Sequence, residues 1–214
     1  MKITCIPVGA IAANCYLITS DGAGLVIDPG DWTPELEQKL SPSFDKIQWI
    51  LLTHRHADHL MAAARLQEKT GAKVAIHVDD AAGLLDPNVS LSVSMGVFAE
   101  PQRPVRPDLL LKDKDTLTCG PLHIQVLHTP GHSAGGVCFL IDDGGSPALF
   151  TGDTLFAGEV GRTDLPSGDY ATLMASVARL RDLPGDYPVY PGHGPASILS
   201  RERASNPYMK DVTL

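Results

Sequence analysis

Cysteine is scarce and scattered in this sequence: Cys5, Cys15, Cys119 and Cys138 form no Cys-x-x-Cys pair and no closely spaced framework. Such spacing excludes a disulfide-stapled scaffold and reads as four small apolar core residues in a reducing compartment, with no disulfide expected. Long apolar runs are lacking too. After Lys2 the apolar residues of the amino end are interrupted by Pro7, Gly9, Asn14 and Tyr16, leaving no signal-peptide core and no membrane span. The expectation is a cytoplasmic protein that engages no membrane. Basic charge is in deficit, with 17 Lys and Arg against 25 Asp and Glu and a net charge of −8. An acidic chain repels polyanions, which argues against nucleic acid as a partner, while a local cation can still hold an acidic small molecule. There is no internal repeat and no linker-like stretch. At 214 residues and 43% hydrophobic content, the chain can bury one sizeable core and is expected to form a single domain over 1–214. Its oligomeric state is not readable.

What is present starts with strands. Lys2 to Val8, Cys15 to Ile18 and Gly24 to Ile27 are short β-branched runs separated by Gly, Asn and Asp, the spacing of an antiparallel meander. Thr33-Pro34 opens a helix that runs to about Leu40. The buried run Ile47 to Leu52 leads into a loop, after which helical spacing persists to Thr70-Gly71. Lys73 to His77 reads as a strand and Asp79 to Leu85 as a short helix. From Asp86 to Asp108 five prolines and glycines interrupt any pattern, and so long a loop is expected to serve as a lid or pocket wall. Strands return at Thr116 to Thr118, Leu122 to Leu127, Val137 to Ile141 and Ala148 to Phe150. Asp169 starts a helix with Leu173, Val177 and Leu180 on one stripe, Val189-Tyr190 is a last strand, and Ile198 to Arg203 a final helix. Two blocks of strands, each bordered by helices, predict two packed sheets with helices outside.

The chemistry is concentrated in Thr53-His54-Arg55-His56-Ala57-Asp58-His59, where four metal-competent side chains fall within six residues. His54 and His56, two apart after a strand, can point toward one ion, while Asp58 and His59 begin the next helix and can face a second. Three imidazoles and a carboxylate so crowded repel and protonate one another unless a cation holds them. Zinc, iron and manganese all accept such donors. A two-metal site needs further ligands, expected on loops at strand ends. Three places qualify: Thr129-Pro130-Gly131-His132-Ser133, Thr151-Gly152-Asp153-Thr154 and Pro191-Gly192-His193-Gly194. His77 and His123 lie in strand patterns and read as ordinary packed or half-exposed residues. His128, two residues before Pro130, is open to two readings, an ordinary packed residue or one that holds a ligand by hydrogen bond.

The ordered set T-H-x-H-x-D-H, T-P-G-H-S, T-G-D-T and P-G-H-G resembles the metallo-β-lactamase superfamily, over nearly the whole chain. Asn14-Cys15-Tyr16 and Ile27-Asp28-Pro29-Gly30 match strands of that family. Phe156-Ala157-Gly158, Gly161 to Pro166, and Arg201-Glu202-Arg203 with Asn206-Pro207 are similar to the small bacterial glyoxalase II-like hydrolases. The resemblance implies an α/β fold, the αββα four-layer sandwich. It implies that His54, His56 and His132 hold one metal, that Asp58, His59 and His193 hold the other, and that Asp153 bridges the two. It further implies two divalent ions, with zinc expected and iron or manganese compatible, and a hydroxide between them.

The reaction this resemblance best supports is hydrolysis of a thioester of the S-D-lactoylglutathione type, a small-molecule substrate. Asp58 would orient the hydroxide or take its proton. Arg162 stands where glyoxalase II presents a basic residue to glutathione, although pairing with Asp164 or Asp169 would equally account for it. Glyoxalase II continues into a helical region with further glutathione contacts, whereas this sequence ends at Leu214, so glutathione selectivity does not follow. The alternatives are a persulfide dioxygenase, which shares the Gly-Arg-Thr-Asp stretch and uses one iron, or hydrolysis of other esters and lactones.

Overall fold

The structure, a computed structural model, describes residues 1–210. Twelve strands form two six-stranded sheets, each in sequence order across its width. The first contains β1 (Lys2–Val8), β2 (Ala13–Ser20), β3 (Ala23–Ile27), β4 (Ile47–Leu51), β5 (Lys73–His77) and β6 (Leu109–Leu111). The second contains β7 (Thr116–Cys119), β8 (Leu122–His128), β9 (Val137–Asp142), β10 (Ala148–Gly152), β11 (Pro188–Pro191) and β12 (Ser197–Ile198). The meander β1–β2–β3 is antiparallel as expected, and β3 to β6 then pair in parallel. Parallel pairing requires crossovers, here supplied by α1 (Pro34–Leu40), α2 (Ala57–Leu60), α3 (Ala63–Thr70) and the 86–108 loop with its single turn α4 (Ser92–Met95). The carboxyl part adds α5 (Tyr170–Arg181), α6 (Leu199–Ser205) and α7 (Pro207–Lys210).

The period-2 alternation of the strands sorts the core into three layers. Tyr16, Ile18, Leu25 and Ile27 of the first sheet face Ile124, Val126, Phe139 and Phe150 of the second, forming the inner layer. Their sequence neighbours Cys15, Leu17 and Val26 point the other way and pack under Leu36, Leu40 and Leu66. On the far side Leu127, Cys138 and Leu149 are covered by Leu173, Val177 and Leu180, the stripe anticipated for α5. Helix, sheet, sheet, helix is the αββα four-layer sandwich that the resemblance implies. No helix among the described residues is long and apolar enough to cross a membrane.

Four local expectations change. Cys5 is exposed rather than core, because β1 is an edge strand that turns Ile6 and Val8 inward and Cys5 out. The helix after the histidine loop is split between α2 and α3, where the Ala62 N–H donates to the Pro29 carbonyl at 2.9 Å. Residues Val78–Leu84 wind as a tighter 3₁₀ helix, which brings Gly83 against Arg55; a Cβ there would lie 2.6 Å from the Arg55 Cβ. The strands β6 and β12 and helix α7 come in addition.

Candidate metal centre

Each donor-bearing loop leaves the carboxyl end of a strand: residues 54–59 after β4, His132 after β8, Asp153 after β10 and His193 after β11. The sandwich brings these ends to one edge. His54, His56 and His132 gather in one group and Asp58, His59 and His193 in a second, with the donor atoms of each group within 4.8 Å of one another. Asp153 lies between them. Its Oδ1 is 3.4 Å from His59 Nε2 and its Oδ2 is 3.4 Å from His132 Nε2 and 3.7 Å from His193 Nε2. All seven residues singled out in the sequence therefore meet at one place. Glycine permits it: a Cβ at Gly192 would fall 2.1 Å from Asp153 Oδ1 and 2.8 Å from His59 Cε1.

The donor set fits cations. His54 Nε2, His56 Nε2 and Asp153 Oδ1 are buried with no hydrogen-bond partner, an arrangement that costs free energy unless something positive completes it. His56 Nδ1 and His132 Nε2 lie 2.8 Å apart, so the two nitrogens must share a proton or a cation. Burial, then the neighbouring imidazoles, push His54 well below the ordinary histidine range, and burial with His132 pushes His56 down to about 3. Both are thus neutral and able to offer a lone pair. In the second group burial opposes the charged forms, but Asp58 and Asp153 outweigh it and hold His59 and His193 above the usual value. Asp58 likewise resists the effect of burial: His59 and His193 keep its carboxyl well below the usual carboxylate range. Protons on those histidines occupy the role that a metal ion fills more completely.

The supporting contacts were not readable beforehand. Asp28, buried and at φ +50°, accepts the Thr53 N–H at 2.8 Å through Oδ1 and the Thr53 hydroxyl at 2.6 Å through Oδ2, which also faces His59 Nδ1 at 3.0 Å. Thr53 Oγ1 in turn lies 3.0 Å from His54 Nδ1. Asp28 falls within donor distance of His54 and His59, but its oxygens are committed to this network. The His132 Nδ1–H donates to the Arg162 carbonyl at 2.7 Å. Asn14 Nδ2 donates to the Pro191 and Gly194 carbonyls at 3.0 and 2.9 Å, and the Tyr16 hydroxyl to Pro191 at 2.6 Å, which pins the loop of His193. Asp80 ties the two halves of the first group together by accepting from the Arg55 N–H, the Ser133 hydroxyl and the Gly135 N–H. The only advance signal was Asn14-Cys15-Tyr16 and Asp28-Pro29-Gly30 as motifs; Asp80 gave none.

His128 does not hold a ligand: its Nε2 meets the Ala134 carbonyl at 2.9 Å and its ring stacks on His77, centroids 4.0 Å apart and planes 11° from parallel. Asp79 lies near both rings. Parallel stacking keeps the two rings' in-plane lone pairs from converging on one ion. His123 is exposed. Arg162 lies at the rim of the centre and makes a two-pronged ion pair with Asp164 at 2.7 and 2.6 Å, which draws the Asp164 carboxyl down to about 2. A cavity of about 690 Å³ opens over the centre; His56, Asp58, Asp153 and His193 line its floor and Leu91 and Met95 of the 86–108 loop form part of its wall, as that loop's length suggested.

The family model described as the metallo-beta-lactamase superfamily matches residues 8–193. The probable metallo-hydrolase YqgX of Bacillus subtilis is 34% identical over the full length of both chains. The hydroxyacylglutathione hydrolase GloC of Haemophilus influenzae is 33% identical over 98% of each. Among solved structures, the BLEG-1 B3 metallo-beta-lactamase superposes with a TM-score of 0.89 at 33% identity, covering 98% of this chain and 100% of that one. TTHA1623, solved in a di-iron-bound form, gives 0.83 at 36% identity, covering 96% and 99%.

Proposed function

Since this chain is a metal-dependent hydrolase of the metallo-β-lactamase superfamily, we propose that it cleaves thioesters of the S-D-lactoylglutathione type at a two-metal centre. His54, His56 and His132 would hold one ion and Asp58, His59 and His193 the other, with Asp153 placed between the two groups. Bound there, two divalent ions, zinc by preference and iron or manganese by the same donors, acidify a water and polarise the substrate carbonyl. The observation that carries the reading is the pair of histidine groups joined by Asp153, with oxygens 3.4 Å from a histidine of each.

The chain's own groups do the rest. Asp58 is only 8% exposed yet lines the cavity, so its carboxylate is placed to accept a hydrogen bond from the attacking water and orient it. A water attacks the thioester carbon, the C–S bond breaks, and the thiolate leaves into the open cavity and takes up the proton the water gives up. Arg162 has an unused Nη1 and an exposed ion pair that a substrate carboxylate can replace at small cost. The likeness to a protein named hydroxyacylglutathione hydrolase supports the choice of thioester.

The test is a panel: S-D-lactoylglutathione, a lactone, a β-lactam and glutathione persulfide with oxygen uptake, on protein of measured metal content. Thioester cleavage with two metals per chain is expected. Oxygen uptake on the persulfide with one iron, or β-lactam or lactone turnover without thioester turnover, would replace the proposal.

A further inference from the structure

Above the donor groups the cavity changes character. Ile11, Leu91, Met95, Phe156, Val160 and Leu165 form its wall, and outside the donor groups its sole charged residue is Arg162, already engaged by Asp164. Three separate segments contribute: the β1–β2 turn, the 86–108 loop and the stretch between β10 and α5. The wall is held in place. Leu91 is only 8% exposed although its φ is +68°, a left-handed conformation that a leucine rarely adopts and that α4 is built upon. On the other side Glu202 accepts the Gly158 N–H at 2.8 Å, and Asn206 donates to the Phe156 and Glu159 carbonyls. A wall shaped this way against solvent gives little to a short hydroxylated group, which loses water hydrogen bonds on entering it and finds no polar side chain there beyond Ser94 and the paired Arg162.

We propose that the acyl group this enzyme accepts is an apolar chain of several carbons, lying along the wall of Leu91, Met95, Phe156 and Leu165 while its carbonyl meets the metal centre. The proposal rests on the thioester-hydrolase reading above and extends it: a lactoyl group can present its carbonyl to the centre, and longer, unsubstituted acyl groups gain the wall's contact in addition and are preferred. Full burial of a methylene strengthens binding roughly fourfold, and an open cavity wall covers about half of each, so about twofold per carbon is expected.

Straight-chain carboxylates, which are the hydrolysis products, test this without turnover. Acetate, butanoate, hexanoate and octanoate are titrated calorimetrically into the metal-loaded protein. Affinity should rise by about twofold per methylene, roughly 60-fold from acetate to octanoate. Met95→Ser and Leu165→Ser should each flatten that slope. Equal affinity across the series, or a slope unchanged in both variants, overturns the assignment. The acetyl and octanoyl thioesters of N-acetylcysteamine separate the two layers of the argument. Graded carboxylate binding with neither thioester cleaved removes the proposed reaction and leaves the wall assigned. Cleavage of both with no chain-length dependence in Kd or kcat/KM removes the wall's role and leaves the reaction.

Discussion

Asp28→Asn is the most incisive perturbation of the centre, because it changes no volume and touches no cation. The buried carboxylate receives three groups: the Thr53 N–H at Oδ1, and the Thr53 hydroxyl and His59 Nδ1 at Oδ2. With the Thr53 hydrogen committed to Asp28, its oxygen accepts from His54 Nδ1–H. One carboxylate therefore sets the tautomer of two of the proposed ligands, leaving both Nε2 lone pairs toward the candidate centre. Asparagine tolerates the φ of +50° and can keep its carbonyl on the Thr53 N–H, but an amide NH₂ then stands where Oδ2 was. A donor there faces two donors. His59 escapes by moving its proton to Nε2, the atom 3.3 Å from His193 Nε2, which blocks the second group. Loss of one such outer partner costs about 10- to 100-fold in metal affinity, or about 1.4–2.8 kcal/mol. The assay is competition of the apoprotein against a chromophoric chelator, with urea unfolding of the apoprotein alongside. The second equivalent of metal should weaken by that factor and the first by less, since Thr53 can still serve His54. Native affinity for both equivalents would refute the tautomer argument, and equal weakening of both would show a general loosening instead.

His56→Ala and Asp58→Ala should each lower bound metal toward one per chain or fewer and abolish thioester hydrolysis; full turnover in either would remove the assignment of donors. Arg162→Ala should raise KM for glutathione thioesters roughly threefold to tenfold with little change in kcat, because its side chain is 62% exposed and its loss leaves the fold intact. An unchanged KM would mean that pairing with Asp164 is its whole role. Gly192→Ala drives a Cβ to 2.1 Å from Asp153 Oδ1, so either the carboxylate or the loop must move. Metal content should fall with a stability loss of about 1–3 kcal/mol, read by metal analysis and thermal unfolding.

The two sheets were legible because β2, β3 and β10 are short apolar runs, β8 alternates, and their turns are glycine-marked. What was missed depends on partners distant in sequence. β6 is three leucines whose strand state exists only because Ala75 to His77 offers a free edge, and β12 is two residues paired to Pro188 and Val189. The break between α2 and α3 is made by a carbonyl from residue 29, and no feature of residues 57–70 foretells it. Propensity describes a segment, and these segments are decided by another one.

The same division runs through the metal centre. The donors were readable because imidazoles crowded at tight spacing, or set behind Gly-rich turns, repel one another unless they share a cation. The groups that aim them are ordinary Asp, Asn, Thr and Tyr residues whose meaning lies in register: Asn14 reaches carbonyls 177 and 180 positions away, and Asp80 joins the Arg55 and Ser133 loops across 25 and 53. Each originates near a strand end of the same edge that carries the donors, so the geometry of the donors is inherited from the sheets and not from the loops. Rigid sheets explain how seven side chains can converge with buried atoms left partnerless, since relaxing any one loop would require a strand end to move with it. Cations would relieve that strain more fully than protons do, so the apoprotein is expected to be the less stable form, with a thermal unfolding midpoint that rises with free metal concentration; a midpoint indifferent to metal would refute this.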